Sequence, residues 1–332
     1  MDKLAYVSGE TFLYWNSIVL TLAAATAICF FLVFYLYKSG NALAGFTAVP
    51  ACLGLSLVLA RFFHWYCRAD SYPDFLTAMT DYTSGGYALM GVFLGCFLVA
   101  VVLRLLRFSL DLGEMLDCMS IAACAGIAVG RLNSLFNATD RGNVLAHLRS
   151  LPFAYPVTNA VSGAQEYRLA TFLIQAMVAL GLLIVLSLFY LRGNKKGKLP
   201  SGDTCLVFLL LYGASQVVLD STRYDSMFFR SNGFVSVVQV LGALALALNV
   251  VVFSRRMVKS GGFHLWQIPL WLLIGASMGG AGFMEYYVQR RGNEAVFAYS
   301  VMSGCLTGVI LLTLLIRALA VKIERRNGNF VG

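Results

Sequence analysis

Apolar runs of roughly 20 residues recur along this chain, separated by short polar stretches, and runs of that length are what a membrane-crossing helix needs. The pattern predicts nine such helices, over 12–37, 42–66, 85–106, 115–132, 169–191, 204–224, 233–253, 265–288 and 295–316. The expected fold class is therefore an all-α polytopic membrane protein. Composition agrees: 59% of the residues are hydrophobic and 12% charged, against about 25% charged in ordinary soluble domains. Asp2 and Glu10 flank the early cation Lys3, and the first apolar run is too long for the core of a cleavable signal, so the first span is expected to remain in the protein.

Charge changes the picture by giving the spans a direction. The connections after the odd spans, with the C-terminal tail, carry 14 of the 25 cations. Cytoplasmic loops are the richer in Lys and Arg, which orients the N-terminus outside and the C-terminus in the cytoplasm. Six of the seven lysines lie on that side, Lys3 being the exception. The opposite side holds arginines: Arg61, Arg68, Arg131, Arg141, Arg149, Arg168, Arg223, Arg230, Arg290 and Arg291. Arginine is the planar, bidentate partner of phosphate and carboxylate. Two readings stand for such a set: an anionic ligand held near the outer leaflet, or side chains snorkelling to the interface. The net charge of +9 suits a membrane containing anionic lipids. Cations beside spans, rather than on a soluble face, argue against a nucleic-acid partner.

Two polar constellations interrupt the apolar pattern. The fourth span ends in VGRLNSLFNATDRGN, residues 129–143, with Arg131, Asn133, Asn137, Asp140, Arg141 and Asn143 bracketed by Gly130 and Gly142. The connection that follows, 133–168, carries His147, Arg149, Pro152, Pro156 and Arg168, and connections this long often bind ligands. The sixth span ends with Tyr212, Gln216, Asp220 and Arg223 at spacings of 4, 4 and 3, one stripe of a helix. Such a stripe faces either an internal cavity or a neighbouring helix through polar contacts. The second span closes with Arg61, His64 and Tyr66; His64 reads as an interfacial residue or a base. Gly85, Gly86, Gly91 and Gly95 permit close approach of another helix or of a ligand. Gln175 and Gln239 read as interhelical hydrogen bonders, and Glu285 as the partner of a nearby arginine. Eight cysteines without metal-ligand or C-x-x-C spacing read as small core residues. No metal or other cofactor is expected.

The order of these features resembles the prolipoprotein diacylglyceryl transferase family. Its G-R-x-G-N-F-x-N-x-E signature resembles Gly130, Arg131, Leu132, Asn133, Ser134, Leu135, Phe136, Asn137, Ala138 and Thr139, with the following glycine at Gly142. Its Y-G-x-x-R-x-x-x-E-x-x-R segment resembles Tyr212, Gly213, Gln216, Asp220 and Arg223. Its glycine-rich third-span motif resembles 84–95, and its W-Y-G resembles Trp15, Asn16 and Ser17. Arg61 and Gln239 fall where the family has an arginine and a glutamine. The resemblance covers roughly 12–254, which sets a seven-span core, 1–254, apart from two further spans and a basic tail, 255–332. There are departures. The family's histidine is Met90, its signature asparagine and glutamate are Ser134 and Thr139, its tyrosine is Asn16, and one arginine is Gln216. Asn133 and Asp140 stand one residue away from the lost asparagine and glutamate.

The resemblance implies a bacterial inner-membrane enzyme of lipoprotein biosynthesis. Such an enzyme moves a diacylglyceryl group from phosphatidylglycerol to the lipobox cysteine thiol of a preprolipoprotein, and glycerol phosphate leaves. On that reading Arg131, Asp140 and Asp220 form the catalytic set, and Arg61, Asn133, Asn137, Gly142, Tyr212, Gln216 and Arg223 bind substrate. Its partners are phosphatidylglycerol, preprolipoproteins and membrane lipids. The alternative is a relative that binds phospholipid or lipoprotein precursor without this chemistry, or that uses another head group or acceptor. A transporter is disfavoured by the lack of an internal repeat, and a retinal-type receptor by the lack of a mid-span lysine.

Overall fold

In the computed structural model the chain is described over residues 4–8, 11–39, 41–81, 86–108, 111–137, 139–145, 153–159, 162–195, 199–229, 235–290 and 294–326. Asp2, Lys3, Glu10, Ser84, Gly85, Ala138, His147, Arg149, Pro152, Lys196, Lys198, Arg230 and Arg291 lie outside the described residues. Two short strands come first, β1 (Leu4–Ser8) and β2 (Thr11–Tyr14), paired antiparallel. Helices α1 (Trp15–Ser39), α2 (Ala42–Cys67), α3 (Phe75–Thr80), α4 (Leu89–Leu105) and α5 (Leu112–Gly130) follow. A second antiparallel hairpin, β3 (Ala154–Thr158) and β4 (Gln165–Leu169), precedes α6 (Thr171–Lys195). The remaining helices are α7 (Asp203–Ser221), α8 (Val237–Gly261), α9 (Gln267–Arg290) and α10 (Ala295–Arg326).

Among the described residues, eight helices are long and apolar enough to cross a membrane. The remaining predicted span, the third, is α4, 17 residues long, or about 25 Å of helix. The architecture is that of an all-α polytopic membrane protein. Differences from the predicted bounds have local causes. The first helix starts at Trp15 because the apolar residues before it pair as β2 with β1. The third starts at Leu89 because Gly86 has φ +85°, outside any right-handed helix. The last runs on to Arg326, beyond the predicted end at 316.

The chain divides into two compact units. The first comprises Met1–Arg192, Ser201–Cys205 and Thr222–Gly233. Within it α1 packs on α5, and α2 on α4. Small residues make both contacts possible. A Cβ placed on Gly91 would lie 2.4 Å from the backbone of Leu59 and Ala60, and one on Gly95 would lie 2.7 Å from Ser56 Cα. Without side chains between them the two helix backbones touch, the usual device where burial in lipid offers no hydrophobic drive. Gly126 meets Ala27 of α1 in the same way, at 3.1 Å. Helix starts are capped. The side chain of Asn41 accepts from Ala44 N–H for α2, and that of Asp111 from Gly113 N–H for α5. Asp117, a charge buried in α5, accepts the amides of Gly202 and Cys205 at 2.9 and 2.7 Å. It caps the first turn of α7, where orphan N–H groups and the helix dipole favour an anion.

The second unit comprises Gly193–Pro200, Leu206–Ser221 and Phe234–Gly332. Its core joins Leu210 of α7 and Leu246, Phe253 and Met257 of α8 to Ile274 of α9 and Met302, Leu306 and Ile316 of α10. Gly213 and Gly242 let α7 and α8 approach closely; a Cβ on Gly242 would lie 2.8 Å from Gly213 O. Ser236 caps α8, its hydroxyl accepting from Gln239 N–H while the Gln239 side chain accepts from Ser236 N–H, a reciprocal capping box.

Candidate functional site

The site forms at one end of the first unit, where α5 gives way to a short 3-10 turn, Arg131–Leu135. Phe136 follows and stacks on Trp15, the first residue of α1, at 5.6 Å between ring centres. The chain then reaches Asp140 in the left-handed region, with φ +57°. Asp is one of the few side chains that enter this region readily. The bend aims the carboxylate back at the helix end.

There Asp140 joins two arginines far apart in sequence. Its Oδ2 lies 2.8 Å from Arg131 Nη1, and its Oδ1 lies 2.6 Å from Arg223 Nη2. Ser134 donates its hydroxyl to Oδ2 at 3.3 Å. Burial pushes the Asp140 carboxyl up, but the two guanidiniums outweigh it and hold the group below the usual carboxylate range. Asp225 completes the arrangement. It accepts from Arg223 Nε and Nη2, each at 3.0 Å, and from Asp140 N–H at 2.9 Å. Arg68, just past α2, donates from Nη2 to Asp225 O at 2.9 Å. The ends of the second, fourth and sixth predicted spans thus converge on one charged cluster.

Backbone pairing holds these segments in register. Gly142 N–H donates to Leu169 O, Asn143 N–H to Thr222 O and Tyr224 N–H to Arg141 O. Gly142 bridges Arg223 in antiparallel fashion. A Cβ on Gly142 would lie 2.6 Å from Leu169 Cβ and 2.8 Å from Thr171 Oγ1, so the close crossing of strand and helix start requires glycine. Arg168 of β4 binds Glu166 at 3.1 Å and lies over the Tyr224 ring at 4.9 Å. Arg131, Arg168 and Arg223 pair with the carboxylates of Asp140, Glu166 and Asp225, while Arg68 and Arg141 donate to backbone carbonyls, so that among the described residues named here five guanidiniums stand with three carboxylates.

Three buried polar atoms here have no hydrogen-bond partner among the described residues: Arg141 Nε, Asn133 Oδ1 and Tyr155 OH. Arg141 Nη2 donates to Asn137 O at 3.2 Å. Tyr155 stands near Arg141 and Arg168; burial nevertheless raises its phenol above the ordinary value. Arg141 Nε and the Tyr155 hydroxyl can donate to an anionic ligand, and a buried donor left unpaired is costly; Asn133 Oδ1 is an acceptor and suits a hydroxyl or amide donor instead.

The other predicted site residues have partners of their own. Arg61, 2% exposed, donates to three backbone carbonyls: Nε to Ala78, Nη1 to Gly86 and Nη2 to Asp81. Tyr72 and Tyr87 lie against its guanidinium at 5.0 and 5.7 Å. Arg61 thereby ties α3 and the approach to α4 onto α2. In the second unit, Asp220 accepts the hydroxyl proton of Ser236 at the start of α8, Tyr212 stacks on Phe208 at 5.2 Å, and Gln216 is buried. Gln239 donates to Val217 O at 3.1 Å, joining α8 to α7 as an interhelical bond. Glu285 accepts from Gln289 Nε2 at 3.0 Å, and no arginine is among its described hydrogen bonds. The sequence reading did not single out Asp225 or Arg68 for this site. The Arg-x-Asp spacing of Arg223 and Asp225 was the available signal for one; nothing local marked Arg68, which meets Asp225 across 157 residues.

The chain is a polytopic membrane protein in which Arg131 and Arg223 meet on the Asp140 carboxylate. Comparison with known proteins makes the class specific. Residues 4–254 match the family described as prolipoprotein diacylglyceryl transferase, and the chain belongs to that family. Curated relatives named phosphatidylglycerol–prolipoprotein diacylglyceryl transferase include one from Lactococcus lactis subsp. cremoris strain MG1363, 25% identical over 259 residues, 78% of this chain and 96% of the relative. One from Lactococcus lactis subsp. lactis strain IL1403 is 26% identical over 262 residues, again 78% and 96%. One from Clostridium kluyveri strain ATCC 8527 is 21% identical over 254 residues, 76% and 96%. The chain is thus a multi-pass cell-membrane member of a transferase family of lipoprotein biosynthesis.

Proposed function

We propose that this chain transfers the diacylglyceryl group of phosphatidylglycerol to the cysteine thiol of preprolipoproteins. The observation that carries the reading is the Arg131–Asp140–Arg223 bridge, set beside the orphaned Arg141 Nε. The lipid phosphate docks against Arg131 and Arg223, taking over guanidinium donors now held by Asp140. Asn133 and Asn137 orient the glycerol head group. The acceptor sulfur, as thiolate, attacks the diacylglycerol carbon bonded to the phosphate ester oxygen. That C–O bond breaks, a thioether forms, and glycerol phosphate leaves. The leaving phosphate gains negative charge, and preorganised guanidiniums stabilise that gain most where water is excluded. Asp140 holds the two arginines together between turnovers. The cluster faces the outer side, with the N-terminus outside and the C-terminus in the cytoplasm. Residues 1–254 form the catalytic core on this reading.

The test uses purified protein in phosphatidylglycerol micelles with a lipobox peptide, read by mass spectrometry. A diacylglyceryl mass gain on the cysteine, lost in Arg131→Ala, is the expected result. One feature favours a second reading, binding without transfer: Met90 stands where the family carries a histidine. Phosphatidylglycerol retained through purification without any thioether would support that reading instead.

A further inference from the structure

A thiol with an ordinary pKa of about 8.5 needs a proton acceptor to attack at neutral pH. The carboxylates nearest to hand are poorly suited. Asp140 is engaged by two guanidiniums and a hydroxyl. Asp220 is bonded to Ser236 at the start of α8.

The first unit holds a better-placed group. His64, in the last turn of α2, is half-buried, and its Nδ1 lies 3.0 Å from the Tyr72 hydroxyl. Tyr72 packs edge-on to the imidazole, ring centres 5.9 Å apart. Gly86 packs against the same edge of the ring. A Cβ there would lie 2.5 Å from His64 Cε1 and 2.9 Å from the Tyr72 hydroxyl, and φ +85° suits glycine. The ring is therefore held by a hydrogen bond, an aromatic neighbour and a glycine backbone, and Arg61 anchors Gly86 through its carbonyl at 3.0 Å. His64 is also tied to the charged cluster. Arg68 stands one helical turn further on, about 6 Å along the same face, and its guanidinium reaches Asp225, the partner of Arg223.

From this geometry we infer that His64 is the proton acceptor for the incoming thiol, with Tyr72 and Gly86 as positioning residues. The inference rests on the transferase reading above. In the tautomer that donates from Nδ1 to the Tyr72 oxygen, Nε2 presents a lone pair. Nε2 takes the proton from the cysteine S–H, and the sulfur electron pair forms the bond to the diacylglycerol carbon. The C–O bond breaks with its pair going to glycerol phosphate. The imidazolium then passes its proton to that phosphate, and the neutral ring is restored.

The test compares two acceptor peptides in phosphatidylglycerol micelles, one with cysteine and one with selenocysteine, whose selenol is already ionised at neutral pH. His64→Ala and His64→Gln are expected to lower kcat on the cysteine peptide by on the order of 100-fold or more, with KM for phosphatidylglycerol unchanged. On the selenocysteine peptide both variants recover to within a few-fold of the parent chain. Gly86→Ala, which drives a methyl group into the ring while leaving His64 present, is expected to give the same acceptor-dependent loss. Equal loss on both peptides, or none on either, overturns the base assignment while the transferase reading stands. A parent chain inert towards both peptides overturns the transferase reading, and this assignment with it.

Discussion

Asp140 combines two properties that substitutions can separate: a charge shared by Arg131 and Arg223, and a backbone at φ +57°. Asn enters the left-handed region about as well as Asp, whereas Ala pays roughly 1–2 kcal/mol there. Asp140→Asn therefore isolates the charge. It is expected to reduce turnover about 100-fold, the scale of an ångström-sized misplacement of binding groups, with little change in melting temperature beyond the lost ion pairs. Asp140→Ala is expected to lose the same activity and melt lower still. The pH dependence has a definite sign. A carboxyl whose folded pKa lies below its unfolded value of about 3.9 contributes stability that is complete above that value and is lost as pH falls through the folded pKa. Thermal melts from pH 7 to pH 3 are thus expected to show no loss assignable to Asp140 until below about pH 4, and Asp140→Asn to remove that acid limb. Arg131, Asp140 and Arg223 stood out as candidates because ionisable residues are few in so apolar a chain, and Gly142 because it brackets them in the signature-like run. Asp225 and Arg68 did not, since their role is a contact made only when three span ends meet. Asp220 and Arg61 looked like ligand groups for the same reason of rarity, and the structure engages them with the α8 cap and with three carbonyls.

Helix pairs show the same dependence on partners that sequence does not name. The glycines of the third span promised close approach, and the structure divides them between two uses: Gly91 and Gly95 against the α2 backbone, Gly86 against an imidazole. Gly91→Ala is expected to push α4 off α2 and destabilise the protein by about 1–3 kcal/mol, as overpacking does. Gly54, on the same α2 helix, has nothing within 4 Å of its would-be Cβ. Gly54→Ala is expected to be neutral or to stabilise by about 0.5–1 kcal/mol, since helix-interior glycine costs entropy. Melting in detergent with both single variants checks the contrast, and equal effects would show that the α2–α4 contact has slack. The hairpins were invisible for a different reason. β2 was absorbed into the first apolar run, which the sequence reading began at residue 12, and β1 precedes that run without a period of its own. β3–β4 lies in a connection with no period of its own, held instead by pairing of Leu145 with Tyr167 and Gly142 with Leu169.

For the whole molecule, hydropathy alone carried the membrane class, because lipid demands long helices whatever they pack against; of the nine expected spans, eight are long and apolar enough to cross among the described residues, and α4 is shorter. Hydropathy carried no information on which helices share a core. The family match ends at residue 254, inside α8, yet in the second unit the inner face of α8 is covered by helices beyond that point. Phe253 and Met257 are fully buried with Met302, Leu306 and Ile316, Trp271 donates to Ser254 at 2.9 Å, and Tyr299 donates to Ser221 O at 3.1 Å. A chain ending at residue 262 keeps every matched position but strips these partners. Apolar side chains lose little by facing lipid instead, so the cost falls on packing and on polar groups such as Asn249, now fully buried, which would meet hydrocarbon. The shortened chain is expected to insert, to retain its helix content by circular dichroism, and to melt at least ~5 °C below the full chain in the same detergent. An unchanged melting temperature would show that α9 and α10 ride on α8 without supporting it, and that their contribution must be sought outside the stability of the second unit.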